Sequence, residues 1–311
     1  MNSSGLARLC AFLVAAAVPA CSSQDSSTPT DTADGGSYEP DLSPLGGDRP
    51  VVPVVPSSYR PGTPVPLLVL LHGHGASGLL QSLYFGLPSL VEQRGFILLA
   101  PDGTVGSDDA RFWNATDACC DCDGTGVDDV AYLTGLVDEA RARFTIDPKR
   151  IYLAGHSNGG FMAYRMACEH AEMFAAIMSL AGATYADIGR CKPSEPVSVL
   201  QIHGSADEVV LYDGGVLPMT PPMAPYPGAE QTARDWASLD GCLDVPDTSA
   251  PLRDLVSDTP GPETSTTVYA QGCRPGGHAE LWTLAGAPHI PGLLADFTPS
   301  WIDFLMAHPK P

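Results

Sequence analysis

The chain has 311 residues with 16 Lys+Arg against 36 Asp+Glu, a formal net charge of −20. That balance excludes a nucleic-acid binder, which must neutralise phosphates, and argues against docking on anionic headgroups through a basic patch. With 44% hydrophobic residues there is material for one large domain or two small ones, and 32 Gly with 30 Pro point to many turns around a regular frame.

The first twenty residues read as a signal peptide. Arg8 supplies the positive n-region, and residues 9–18 form an apolar stretch shorter than the ~20 residues a bilayer span needs. Val18-Pro19-Ala20-Cys21 resembles a lipobox in which Cys21 is acylated and heads the mature chain; Pro19 is unusual there, so free secretion is the alternative. The expected location is the cell envelope or the exterior, with a membrane contact only through that anchor. Residues 22–50 are rich in Ser, Thr, Asp, Gly and Pro and read as a disordered linker. The folded domain is expected over 51–311.

Continuous apolar runs at 65–71, 96–100, 151–154, 174–180 and 197–202 predict strands covered on both faces, as in a parallel sheet. Between them, Val127, Val130, Leu133, Val137, Ala140 and Phe144 recur at helical spacing, and Asp147-Pro148 cannot continue that helix. Further helices are expected over 229–239 and 299–307. The alternation predicts an α/β fold, a three-layer sandwich around a mostly parallel sheet. Two long stretches interrupt it, an acidic Cys-rich one over 102–127 and a Pro/Gly/Met-rich one over 212–227; loops of that length in a compact domain commonly carry function.

Gly155-His156-Ser157-Asn158-Gly159, after a predicted strand and before a predicted helix, fits the G-x-S-x-G nucleophile elbow. The glycines permit a sharp turn that projects the Ser157 hydroxyl, and the helix start behind it favours developing negative charge. His72-Gly73-His74-Gly75 follows an early strand and matches an oxyanion loop, its donor the backbone N–H of His74, paired with that of Asn158. Neither role needs a side chain, so His72 and His74 read as loop-packing residues.

In the chain order Ser, acid, His, the acid candidate is Asp207, just past a later strand, with Glu208 and Asp213 in reserve. Asp102 precedes the nucleophile and has the wrong order. Among the downstream histidines, His278 opens a predicted strand and His308 lies in the last helix. His289 sits in the loop between them and is the candidate base. His156 and His203 read as loop or sheet-end residues.

Together the segments LVLLHGHG, FWNATDACCD, VDDVAYL, FTIDPKRIYLAGHSNGGFMAYRMAC, VLQIHGSADEVVLYDGG and the C-terminal His loop resemble the polyhydroxybutyrate depolymerase / feruloyl esterase family of secreted serine esterases. The likeness runs from about residue 65 to 305. It implies an α/β-hydrolase fold, no metal or other cofactor, and a triad of Ser157, Asp207 and His289. One departure is the loop around His289, where Pro288, Ile290 and Pro291 stand in place of a fuller aromatic loop.

Of the nine Cys, Cys10 falls in the signal peptide and Cys21 is the acylation candidate. Cys242 with Cys273 and Cys168 with Cys191 are the favoured disulfides, each stapling a loop to its element. Cys119, Cys120 and Cys122 lack the partners of a zinc site, and the loop lacks the ligands of an EF-hand; a disulfide between two of the three is expected. Trp113 is a candidate wall of the substrate pocket and, equally, a candidate core aromatic.

The expected function is a serine carboxylic-ester hydrolase working through an acyl-enzyme on small or polymeric esters, feruloyl or acetyl polysaccharide esters or polyhydroxyalkanoates. The rival readings are a serine peptidase on the same fold and a non-catalytic binding lipoprotein.

Overall fold

The structure is a computed structural model that describes residues 38–218 and 223–311. The expected signal peptide, the acylation candidate Cys21 and the linker up to residue 37 lie outside the described residues. Seven strands form the central sheet in the order β10-β11-β7-β6-β5-β1-β2, from β1 (Val65–Leu71), β2 (Ile97–Leu99), β5 (Ile146–His156), β6 (Ala176–Leu180), β7 (Ser198–Gly204), β10 (Thr264–Tyr269) and β11 (Ala279–Leu284). All neighbours pair parallel except β10 with β11. Two short hairpins, β3 (Thr104–Val105) with β4 (Arg111–Phe112) and β8 (Gly214–Val216) with β9 (Pro225–Pro227), arise within the two long interrupting stretches.

Alternate residues of each strand feed opposite faces, which is why the runs are apolar throughout. Leu67, Val69, Leu153 and Ile177 pack beneath α3 (Asp129–Arg143) and α4 (Asn158–Glu169). Leu68, Leu70, Met178 and Leu200 pack beneath α2 (Leu87–Arg94) and α6 (Phe297–Ala307). The remaining helices are α1 (Gly78–Tyr84) and α5 (Ala229–Leu239), whose Ala229, Ala233 and Ala237 cover Leu281.

Two expectations need correction, and one strand lies where none is expected. The helix expected over 127–144 starts where Asp128 accepts the Ala131 N–H and ends at Arg143, before Asp147-Pro148. Pro148 instead lies inside β5, at the irregularity where the register against β1 shifts between Val65 and Leu67; a proline without an N–H is tolerated at such a break. Strand β10 escapes the apolar-run criterion because it is an edge strand of Thr and Ser (TSTTVY). The expected linker boundary at residue 50 is also too late, because the compact unit begins at Pro40.

Residues 40–50 are held by specific contacts. Leu45 is buried and exchanges backbone hydrogen bonds with Val51. Arg49 pairs at 2.5 Å with Asp129, whose side chain is fully buried, and its guanidinium lies 3.6 Å from the Tyr132 ring centroid. Burial pushes the Asp129 carboxyl up, while the Asn114 N–H and Arg49 pull it back. Removing one partner of a buried pair strands the other charge. Arg49→Ala is therefore expected to lower stability by about 3 kcal/mol, read from the midpoint of urea unfolding.

Candidate active site

Ser157 stands at the end of β5 with φ of 55° and ψ of −121°, a positive-φ conformation that costs a non-glycine residue about 1–3 kcal/mol. Its N–H donates to the Leu180 carbonyl at 2.7 Å. The turn needs the glycines on either side. A Cβ on Gly155 would run into the Gly159 carbonyl, and one on Gly159 into the Leu71 carbonyl. Helix α4 begins at Asn158, so the elbow presents a helix amino terminus to the site.

The structure brings Ser157, Asp207 and His289 together at the carboxyl ends of β5, β7 and β11, where open parallel sheets place ligands. Ser157 Oγ lies 2.9 Å from His289 Nε2, and His289 Nδ1 donates to Asp207 Oδ2 at 2.8 Å. The second carboxylate oxygen accepts the N–H groups of Val209 and Val210 at 2.8 and 2.9 Å. Burial pushes Asp207 up, but hydrogen bonds from His203, His289 and Val209 outweigh it and hold the carboxyl well below its ordinary range. Asp207 is therefore an anion that fixes the imidazole tautomer, with Nε2 bare toward the hydroxyl. The reserve acids Glu208 and Asp213 do not take this place.

His203 and His156 support the triad. His203 donates from Nε2 to the Val210 carbonyl at 2.8 Å, accepts from Gln201 at Nδ1, and lies 3.4 Å from Asp207 Oδ2. His156 donates from Nε2 to the His289 carbonyl at 3.0 Å, and Tyr84 donates its hydroxyl to the Pro291 carbonyl at 2.7 Å. The two clamp the His289 loop at residues 289 and 291, a role invisible in the sequence because it depends on a contact across 133 residues.

Gly73 packs against the elbow: a Cβ there would lie 3.3 Å from Ser157 Cβ. This places the His72–Gly75 loop, and with it the backbone of His74, beside Ser157 and the start of α4. His72 is buried, accepts the Gly103 N–H at Nε2 and packs beside Trp113. Two cavities meet at Ser157. One, of about 350 Å³, is walled by Cys119, Cys120, Val209, Val210 and Leu217. The other, of about 250 Å³, is bounded by Leu80, Gln81, Tyr84, His289 and Ile290.

Trp113 needs correction. It is fully buried and borders neither cavity; its indole N–H donates to the His72 carbonyl at 3.1 Å. The Asn158 side chain both accepts the Trp113 N–H at 2.7 Å and donates to its carbonyl at 2.9 Å. Trp113 is thus a core brace, and the wall expected of it comes from Cys119 and Cys120 in the same loop. Disulfides join Cys119 to Cys120, Cys168 to Cys191 and Cys242 to Cys273.

The chain is similar to several known esterases. The model of the prolyl oligopeptidase family matches residues 84–188. Feruloyl esterase B of Piromyces equi is 29% identical over 249 residues, covering 78% of this chain and 43% of that protein. The bifunctional acetylxylan esterase/xylanase of Neocallimastix patriciarum is 28% identical over 167 residues, covering 54% of this chain and 22% of that one. The acetyl xylan esterase of Aspergillus awamori superposes with a TM-score of 0.58 at 16% identity, covering 86% of this chain and 97% of that one. The chain has an α/β-hydrolase fold and is similar in sequence to feruloyl esterases. It spans less than half the length of the first two curated relatives.

The buried His156 gives the site an acid limit. Burial, helped by the neighbouring His289, lowers its pKa from 6.5 to about 4. The unfolded chain therefore takes up a proton between pH 6.5 and 4 that the folded chain refuses, and stability falls as pH drops through that window. The shift corresponds to at most about 3 kcal/mol. In His156→Gln, which keeps a donor for the His289 carbonyl, urea unfolding is expected to show a flatter stability profile over the same window.

Proposed function

We propose that the chain is a serine carboxylic-ester hydrolase. The reading is carried by the unbroken line from Asp207 through His289 to Ser157, with contacts of 2.8 and 2.9 Å. His289 takes the Ser157 proton as the hydroxyl attacks the ester carbonyl, and the imidazolium is stabilised by the Asp207 carboxylate. The N–H groups of His74 and Asn158 take up the oxyanion. His289 then gives its proton to the leaving alkoxide and later activates the deacylating water.

This proton route assigns the two cavities. The leaving oxygen must sit beside His289 Nε2, so the cavity bordered by His289 holds the alcohol half and the one walled by Cys119 and Cys120 holds the acyl half. The acyl cavity has apolar walls with Glu208 at its edge, a chemistry that favours neutral, flat or short acyl groups over anionic ones. Feruloyl and acetyl esters of plant polysaccharide are the substrates we infer, supported by the likeness to enzymes named for those esters. Short polyhydroxyalkanoate esters rest on the sequence resemblance alone.

The three disulfides suit an oxidising compartment outside the cytoplasm, and a lipid anchor at Cys21 is part of this reading through its lipobox. The match to the prolyl oligopeptidase family favours a second reading, amide hydrolysis. That match stops at residue 188 and so includes the elbow but neither Asp207 nor His289.

Ser157→Ala is expected to lower p-nitrophenyl acetate turnover by ~10⁴-fold or more. In the parent, methyl ferulate and acetylated xylan are expected to be hydrolysed and peptide amides left intact, as read by product chromatography. Amide cleavage exceeding ester cleavage would replace this reading with the peptidase one.

A further inference from the structure

Helix α1 is built inside out. Its buried residues are Gly78, Gln81 and Ser82, while Leu79, Leu80 and Leu83 are 67%, 60% and 58% exposed. The loop that follows β11 shows Ile290 at 63% and Leu294 at 36%. One exposed leucine needs no explanation, but aliphatic side chains gathered on two neighbouring walls mark a binding surface.

These two walls begin at the nucleophile. Leu80 and Ile290 border the alcohol cavity together with Tyr84, His289 and Ser157. Further along α1, Leu83 borders a groove of about 380 Å³ whose other side includes Leu293 and Leu294, and Tyr84 belongs to its wall as well. Cavity and groove thus run along the same pair of walls, α1 and the loop of residues 290–294.

The chemistry of this track is aliphatic and uncharged. No Asp, Glu, Lys or Arg borders the cavity or the groove among the described residues, in a chain of net charge −20. The Tyr84 hydroxyl is spent on the Pro291 carbonyl, and the polar side chains of the groove, Ser89, Gln93 and Thr298, are neutral. A sugar brings several hydroxyls that need partners when they leave water. Leucine and isoleucine side chains supply none and match an alkyl chain instead.

We propose a further activity: the track holds the alkyl chain of esters whose alcohol half is a long aliphatic alcohol, and the enzyme cleaves them. The acyl group goes to Ser157, the alkoxide leaves as the free alcohol with the proton of His289, and one water releases the acid. The inference rests on the ester-hydrolase reading and adds to it a class of alcohol.

The test uses alkyl ferulates from methyl to octyl, each below the concentration at which it aggregates. In the parent, kcat/KM is expected to rise about tenfold or more across the series, because a methylene fully removed from water is worth about fourfold and the track is open on one side. In the double variant Leu83→Gln with Leu294→Gln, octyl ferulate is expected to lose its advantage over butyl ferulate. Methyl ferulate is expected to keep its rate within about twofold, since both side chains are exposed and neither borders Ser157. Leu83→Gln alone is expected to lose part of the same advantage, should the double variant not fold.

The inference is overturned if the parent series is flat or falls, if the double variant keeps the full rise, or if methyl and octyl ferulate lose rate equally. A rise seen only above the aggregation concentration would mean adsorption to a surface and would also overturn it. So would a parent dimer that the double variant dissociates in sedimentation, which would give the exposed face to a second copy of the chain. Failure of the parent to hydrolyse either methyl ferulate or p-nitrophenyl acetate would instead remove the ester-hydrolase reading beneath it.

Discussion

The backbone of Ser157 is the constraint on which the site is built. A serine with φ of 55° does not stay there unaided. It is held because the end of β5 and the start of α4 pack backbone to backbone through Gly155 and Gly159, leaving no volume for a side chain at either position. The stability of the central sheet offsets the strain, and the result is a hydroxyl raised clear of the strand with helix N–H groups behind it. Relaxing that turn would withdraw the hydroxyl from His289 and shift the Asn158 N–H, the oxyanion donor of the proposed mechanism, at once.

The other two members arrive on loops, and the protein supplies rigidity where loops lack it. Asp207 is locked by two backbone N–H groups on one oxygen and by His289 and His203 around the other. His289 is locked from behind, its own carbonyl held by His156 and that of Pro291 by Tyr84. His156 suits this task because burial keeps it neutral down to a pH of about 4, so it adds no positive charge beside the imidazole that must accept a proton. Asn158 ties the elbow to the Trp113 backbone, and the same loop continues to the Cys119–Cys120 wall of the acyl cavity. Catalytic geometry and pocket shape thus share one polar brace.

Much of this was legible in the sequence, for identifiable reasons. Parallel strands buried on both faces leave unbroken apolar runs, so β1, β6 and β7 stand out in the sequence. The edge strand β10 is only partly buried and carries Thr and Ser, so it leaves no such run. The glycine spacing around Ser157 is a local steric requirement and is written locally. Chain order then picks Asp207 and His289, because the sheet delivers strand ends to one rim in a fixed sequence. Trp113 misleads because a large aromatic next to a functional loop reads the same whether it lines a pocket or fills a core; only the indole N–H bond to His72 decides it. Tyr84 and His156 depend on contacts between distant segments, and no spacing announces them. The boundary near residue 40 hides because a clasp made by one Leu and one Arg is too sparse to alter a polar composition.

The central claim is that Ser157 is a nucleophile activated by the side chains beside it. Reaction of the parent with a fluorophosphonate, followed by peptide mass mapping, tests this directly, because the probe forms a stable adduct with activated serines and spares ordinary ones. The account predicts a single adduct, on Ser157. A chain left unlabelled at Ser157, or labelled at another serine, would contradict it.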